Sequence, residues 1–115
     1  MKLVIVMRKD LNMRKGKMVA QGGHAVQRAL LDVDAPHVKE YIHGPGRWVK
    51  ICVGVDSLEE LNNVLDMAER HEVPSGMIED AGLTEFDGVP TITCAYVGPY
   101  NEEDVDKVTG QLKLL

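Results

Sequence analysis

Residues 13–31, MRKGKMVAQGGHAVQRALL, carry the pattern from which the rest of the chain can be placed. On a helical wheel at about 100° per residue, Lys17, Gln21, His24 and Arg28 fall at steps of four, three and four on one narrow polar stripe. Met18, Val19, Gly22, Ala25, Val26, Ala29 and Leu30 occupy the opposite side. This spacing predicts a helix that lays a small-residue face against a sheet and points an ordered row of polar groups elsewhere. Arg14, Lys15 and Lys17 surround Gly16 where the helix should begin. Backbone N–H groups, the positive end of the dipole and basic side chains would meet there, an arrangement suited to an anion. The same pattern also suits an ordinary amphipathic surface helix that starts at a glycine turn.

Outward from this helix, residues 2–7 (KLVIVM) form an apolar run expected of a strand buried on both faces. Beyond it, Asp34-Ala-Pro36 reads as an N-cap with a first-turn proline, opening a short helix with Val38, Tyr41 and Ile42 inward. Gly44-Pro-Gly46 ends that helix, and residues 48–55 (WVKICVGV) read as a second strand. Ser57-Leu-Glu-Glu60 is a capping box, followed by Leu58, Leu61, Leu65 and Ala68 on one helical face until Pro74. Residues 77–79 form a brief third strand, 80–86 a turn-like segment, and 91–97 (TITCAYV) a fourth strand broken by Gly98-Pro99. Asn101 caps a last helix over 102–109, with Gly110 at its end.

The element order β-α-α-β-α-β-β-α implies an α/β fold: three layers, α/β/α, around a small four-stranded mixed sheet. The first two strands should run parallel through a crossover. At 115 residues the chain is one domain. No apolar run approaches the length of a membrane span, and no signal-peptide pattern opens the chain, so a cytoplasmic location is expected.

The net charge of −5 is unevenly spread. Residues 1–28 sum to +6 and the remainder to −11, so a basic patch on an acidic body could steer a polyanion to one face. Folding could equally mix the two regions. Cys52 and Cys94 lack C-x-x-C spacing and sit within expected strands, as small hydrophobes do. His24, His37, His43 and His71 show no H-E-x-x-H pattern, and no structural metal is expected. Neither G-x-x-x-x-G-K-[ST] nor G-x-G-x-x-G occurs, which argues against a nucleotide-binding loop of those kinds.

Three segments together resemble the type II peptidyl-tRNA hydrolase family: RKDLNMRKGKMVAQGGHA at 8–25, DAGLT at 80–84 and DKVTGQLKL at 106–114. Their order and spacing are also similar to that family, so the resemblance covers nearly the whole chain. The resemblance implies hydrolysis of the ester joining a peptide to the tRNA 3′-terminal ribose, without a cofactor, on a four-stranded mixed sheet between helical layers. It places functional positions at Lys17, Gln21, Asp80 and Thr84, with His24 and Thr109 as neighbours of the site. In that reading Asp80 accepts a proton from water, Lys17 stabilises negative charge, Thr84 orients the water or Asp80, and Gln21 binds ester or ribose oxygens. Arg8, Lys9, Arg14, Lys15 and Arg28 would contact the tRNA backbone.

Departures from the family pattern are Gly22-Gly23, where Cys-Ser is common, Glu85 for a Gln, and Gln111 for a His. Glu85 sets an extra negative charge near a polyanionic substrate. A catalytically silent relative binding tRNA or a protein partner is the competing reading, and homodimerisation stays open. Each residue also has a plain use: Asp80 before Ala-Gly can simply build a turn, Lys17 can be a solvated helix residue, and Thr84 and Thr109 can cap backbone groups.

Overall fold

The run of β-branched residues after Met1 forms strand β1 (Lys2–Arg8), with Leu3, Val4, Val6 and Met7 fully enclosed. The computed structural model describes residues 1–83 and 85–115. Helices α1 (Lys15–Asp32) and α2 (Ala35–His43) follow, then β2 (Lys50–Val55) and α3 (Leu58–Arg70). The chain continues through β3 (Ser75–Asp80), β4 (Thr91–Tyr100) and α4 (Glu102–Thr109). The strands form one mixed sheet in the order β2-β1-β4-β3. β1 and β2 run parallel, Ile5 opposite Cys52, whereas β4 is antiparallel to both β1 and β3.

Alternation along the strands builds two cores. Leu3, Met7, Ile78, Cys94 and Tyr96 face α1 and α2, where they meet Ala25, Ala29 and Tyr41. Val4, Val6, Val53, Val55, Ala95 and Val97 face the other way, against Leu61, Val64 and Ala68 of α3 and Val105 and Val108 of α4. The three-layer α/β/α arrangement therefore stands.

The helix caps follow the sequence in two cases. Ser57 Oγ accepts from the Glu60 amide at 3.0 Å, and Asn101 Oδ1 from the Asp104 amide at 2.9 Å. Asp34 sits at the N-cap of α2, but its carboxylate turns to His37 Nδ1 at 2.7 Å and makes no side-chain cap bond.

Several expectations are corrected. The Gly98-Pro99 pair does not end the fourth strand, which runs on to Tyr100. Gly98 and Pro99 stand opposite Leu3 alone, because the pairing shifts between Lys2–Tyr100 and Val4–Val97. Such a bulge asks no ladder N–H of the proline. Gly98 has φ +94°, and a Cβ there would lie 2.5 Å from the Lys2 carbonyl oxygen. β2 begins at Lys50 rather than Trp48, whose φ of +65° is incompatible with a strand. α1 begins at Lys15, leaving Met13 buried ahead of it, and Leu58 is exposed instead of facing the core.

The wheel is also wrong about sides. Gln21 of the supposed outward stripe is 2% exposed, whereas Val19 of the supposed inner face is 76% exposed. Small residues Gly22, Ala25 and Ala29 still make the close approach to the sheet, but the buried stripe is rotated to take in Gln21. Finally, the last residues run beside β2: the Gly54 amide donates to the Lys113 carbonyl and the Leu115 amide to that of Cys52, both at 3.0 Å. This covers an edge that would otherwise be open.

Candidate active site

Helix α1 crosses the sheet on the side of β4 and β3 and lays the flank bearing Lys17 and Gln21 over the end of β3. That strand is longer than its apolar pattern suggests and extends to Asp80, paired with Thr91. Lys17 Nζ lies 2.9 Å from Asp80 Oδ1, with both side chains only 15% exposed. Gln21 Nε2 donates to the same oxygen at 3.1 Å. The other oxygen, Oδ2, accepts from the Gly82 amide at 2.8 Å. Asp80 therefore does build a turn, but with one oxygen only. The second is given to two side chains 63 and 59 positions away in the chain.

The Lys17 ammonium donating to Asp80 is the main cause of a carboxyl pKa held below the ordinary aspartate value. Partial burial works against this, and the donations from Gly82 and Gln21 reinforce it. The group is thus an ionised acceptor at neutral pH. Phe86 lies beside the ammonium, its ring centroid 5.7 Å from Nζ.

Beneath Gln21 lies a contact that sequence reasoning missed. Thr93 Oγ1 donates to Gln21 Oε1 at 2.6 Å, and Cys94 Sγ approaches the Gln21 carbonyl at 3.4 Å. Simple alternation along β4 would put Thr93 on the opposite face from Cys94 and Tyr96. A bulge prevents this: Ile78 pairs with Cys94 and Glu79 with Ile92, so Thr93 is an extra residue. Bulges re-aim a side chain in this way. A hydroxyl in the middle of an apolar strand was the available signal.

The remaining expected residues are dispersed. Thr84 lies outside the described residues. His24 is exposed one turn beyond Gln21, beside a shallow hollow shared with Arg28, Ile78 and Glu79. Thr109 is not a neighbour of the Lys17–Asp80 pair. It is buried in α4 on the far side of the sheet, its hydroxyl donating to the Val105 carbonyl at 3.2 Å.

The basic residues are not uniformly available. Arg8 is 12% exposed, tied to Asp10 at 2.7 Å and to the Ile92 carbonyl at 3.0 Å. Lys9 pairs with Asp56 at 3.3 Å and Arg28 with Asp32 at 3.0 Å. Arg14 is 90% exposed and reaches Glu85 at 3.8 Å, so the extra acid in the loop after β3 is partly offset. Lys15 is exposed, without an ion pair among the described residues. Among those residues no group of three His, Cys, Asp or Glu side chains could hold a metal ion. No helix among them is long and apolar enough to cross a membrane.

Chemically, the arrangement offers an ionised carboxylate, an adjacent ammonium and a primary amide on the flank of α1, with exposed cations where that helix begins. A family model described as "Peptidyl-tRNA hydrolase PTH2" matches residues 1–115. The chain is 42% identical to a protein named peptidyl-tRNA hydrolase from Methanocaldococcus jannaschii, over all of both chains. It is 43% identical to one of the same name from Sulfurisphaera tokodaii, covering 99% of this chain and 98% of the relative. The identity to one from Thermococcus onnurineus is 44%, covering 99% and 97%.

Proposed function

The chain belongs to the peptidyl-tRNA hydrolase PTH2 family, and from that premise we propose that it hydrolyses peptidyl-tRNA, with Asp80 receiving the proton of the attacking water and Lys17 stabilising negative charge. The water oxygen bonds to the ester carbonyl carbon while its proton passes to the Asp80 carboxylate. Collapse of the tetrahedral intermediate breaks the bond to the ribose oxygen, which takes the proton. The products are a free peptide and a tRNA with its 3′-terminal ribose restored.

The observation that carries this reading is the 2.9 Å approach of Lys17 and Asp80 across α1 and β3. An ammonium beside the carboxylate serves charge that develops on the carbonyl oxygen, in a place shielded from water, where preorganised donors count most. That neighbour costs Asp80 some basicity, since its pKa is lowered. Proton abstraction is in general worth about 10²–10⁴-fold, and electrostatic stabilisation by Lys17 adds to it. Gln21 has a second amide hydrogen with which to bind an ester or ribose oxygen. Thr84, four residues after Asp80, is assigned to orient the water or the carboxylate.

Lys15 and Arg14, at the exposed start of α1, are the backbone contacts this reading favours first. Arg8, Lys9 and Arg28 already serve acidic partners and would contribute by exchanging them for phosphates. His24, one turn beyond Gln21 on α1, is assigned as a neighbour of the site.

The test is release of labelled peptide from peptidyl-tRNA in the presence of a chelator, by wild type, Asp80→Asn and Lys17→Ala. Release by wild type and loss in both variants is the expected result. Near-normal turnover in both variants would remove the site, and tRNA binding without release by wild type would leave a binding protein only.

A further inference from the structure

We infer that Thr93 is a positioning residue: its hydroxyl holds the Gln21 amide in the one orientation that presents Nε2 to the Asp80 carboxylate. The inference rests on the Lys17–Gln21–Asp80 site just described and assigns to it a member on a third element, β4.

A primary amide can be turned over about its last torsion with little change in shape, so its orientation must come from its partners. At one end of Gln21 stands Asp80 Oδ1, 3.1 Å from Nε2. An ionised carboxylate can only accept, so the NH₂ must face it. Oε1 then points down to Thr93 Oγ1 at 2.6 Å, and the hydroxyl must be the donor. Thr93 is fully buried and Gln21 nearly so, which leaves water no role in settling the amide.

The hydroxyl is otherwise little used. Its remaining contact is Cys94 Sγ at 3.7 Å, a weak acceptor. A buried threonine in a strand or helix usually returns its proton to a nearby carbonyl, as Thr109 does to Val105. Thr93 instead reaches 72 positions back in the chain to Gln21. The bulge that turns it toward α1 is therefore part of the site. No buried side-chain nitrogen or oxygen among the described residues lacks a partner, so the Asp80–Gln21–Thr93 series closes without an orphan.

The charged group in contact with Asp80 is Lys17 on α1, and Glu79 precedes it on β3; the Arg14–Glu85 pair joins the helix start to the loop after β3, and Arg8 pairs with Asp10 after β1. Thr93→Val changes none of them. It keeps the shape of the side chain, removes the hydroxyl and leaves Oε1 facing a methyl group. The amide then either turns away from Asp80 or remains unsatisfied.

The experiment follows the Asp80 carboxyl carbon by NMR through a pH titration of the full chain, as wild type, Thr93→Val and Thr93→Ser. Peptide release is measured on the same samples. Loss of the Gln21 donation, the smallest of the contributions that hold the Asp80 carboxyl down, should move the Asp80 midpoint upward in Thr93→Val. Thr93→Ser should restore it. The value of kcat should fall about tenfold in Thr93→Val, the scale of one buried hydrogen bond, with KM little changed and recovery in Thr93→Ser. A Thr93→Val protein with wild-type midpoint and kcat overturns the inference. Should wild type release no peptide, the hydrolase reading fails while the titration still judges Thr93. If Thr93→Val does not fold, wild type alone decides: the Gln21 amide protons must shift with the Asp80 midpoint, and amide protons indifferent to it overturn the inference.

Discussion

Replacing Asp80 by asparagine separates the structural from the chemical use of that side chain. In the native protein Oδ1 accepts from Lys17 at 2.9 Å and Gln21 at 3.1 Å, and Oδ2 from the Gly82 amide at 2.8 Å. Asparagine has one oxygen to serve these two sides. If it keeps the Gly82 turn, its NH₂ confronts two other donors and the largely buried Lys17 loses the Asp80 charge. If it turns over, the Gly82 amide, in a buried glycine, is orphaned. Either arrangement leaves a donor unsatisfied, at a cost of about 1–3 kcal/mol. The roughly 3–5 kcal/mol seen on breaking a fully buried pair is too high here, since both side chains retain 15% exposure.

Urea denaturation at neutral pH should show that loss. Peptide release, followed under single-turnover conditions, should fall by about 10²-fold or more. The pH dependence gives an independent sign. Asp80's folded pKa lies below its unfolded value, so its contribution to stability is complete above about pH 4. It fades as pH falls through the folded pKa. Wild type and Asp80→Asn should therefore differ by a constant amount near neutrality and converge in acid. A variant within about 0.5 kcal/mol of wild-type stability that also turns over within about threefold of it would refute the reasoning from geometry to function.

Three further outcomes follow from single residues. Gly23 sits exposed inside α1, and a methyl group on its Cα would meet no atom within 4 Å, so Gly23→Ala should stabilise the fold by about 0.5–1 kcal/mol in urea denaturation; destabilisation would show that the glycine pair has a conformational role. Lys15→Ala should weaken tRNA binding and lower the slope of log K against log salt by about 0.7–0.9, one phosphate contact, whereas an unchanged slope would place the tRNA elsewhere. Burial pushes the Cys94 thiol up to about 11, so iodoacetamide at about pH 7.5 should leave it unmodified in the native protein. Its alkylation, read by mass spectrometry, at the rate seen in urea would contradict the packing of α1 on β4.

Much of the architecture is legible along the chain because it depends on local periodicity and on a few strong punctuating residues. The apolar run at 2–7, the Ser57 and Asn101 caps and the small-residue spacing of 22, 25 and 29 act within a turn or a strand, and the element order follows from them. The motif residues Lys17, Gln21 and Asp80 are also legible as chemistry, and as members of one site through the family resemblance, though not from periodicity or spacing. Their meeting depends on the strand order β2-β1-β4-β3, which brings the last β3 residue under α1.

Other features could not be read locally. A helical wheel sends Gln21 outward because it has no knowledge of where the sheet lies; the burial is tolerated only because Asp80 and Thr93, from two different strands, satisfy both ends of the amide. Thr93 is hidden because strict alternation fails at a bulge, and a bulge is a mismatch between two paired strands that neither possesses alone. The same holds for Pro99, which reads as a strand breaker until β1 supplies a register that asks nothing of its nitrogen. Thr109 shows the converse: its motif spacing suggests the site, but the sheet stands between them, because α4 returns to the face opposite α1. Residue identity and spacing thus set which groups were on hand, while strand order and register chose which of them touch, since contacts across dozens of residues arise only when distant segments share one core.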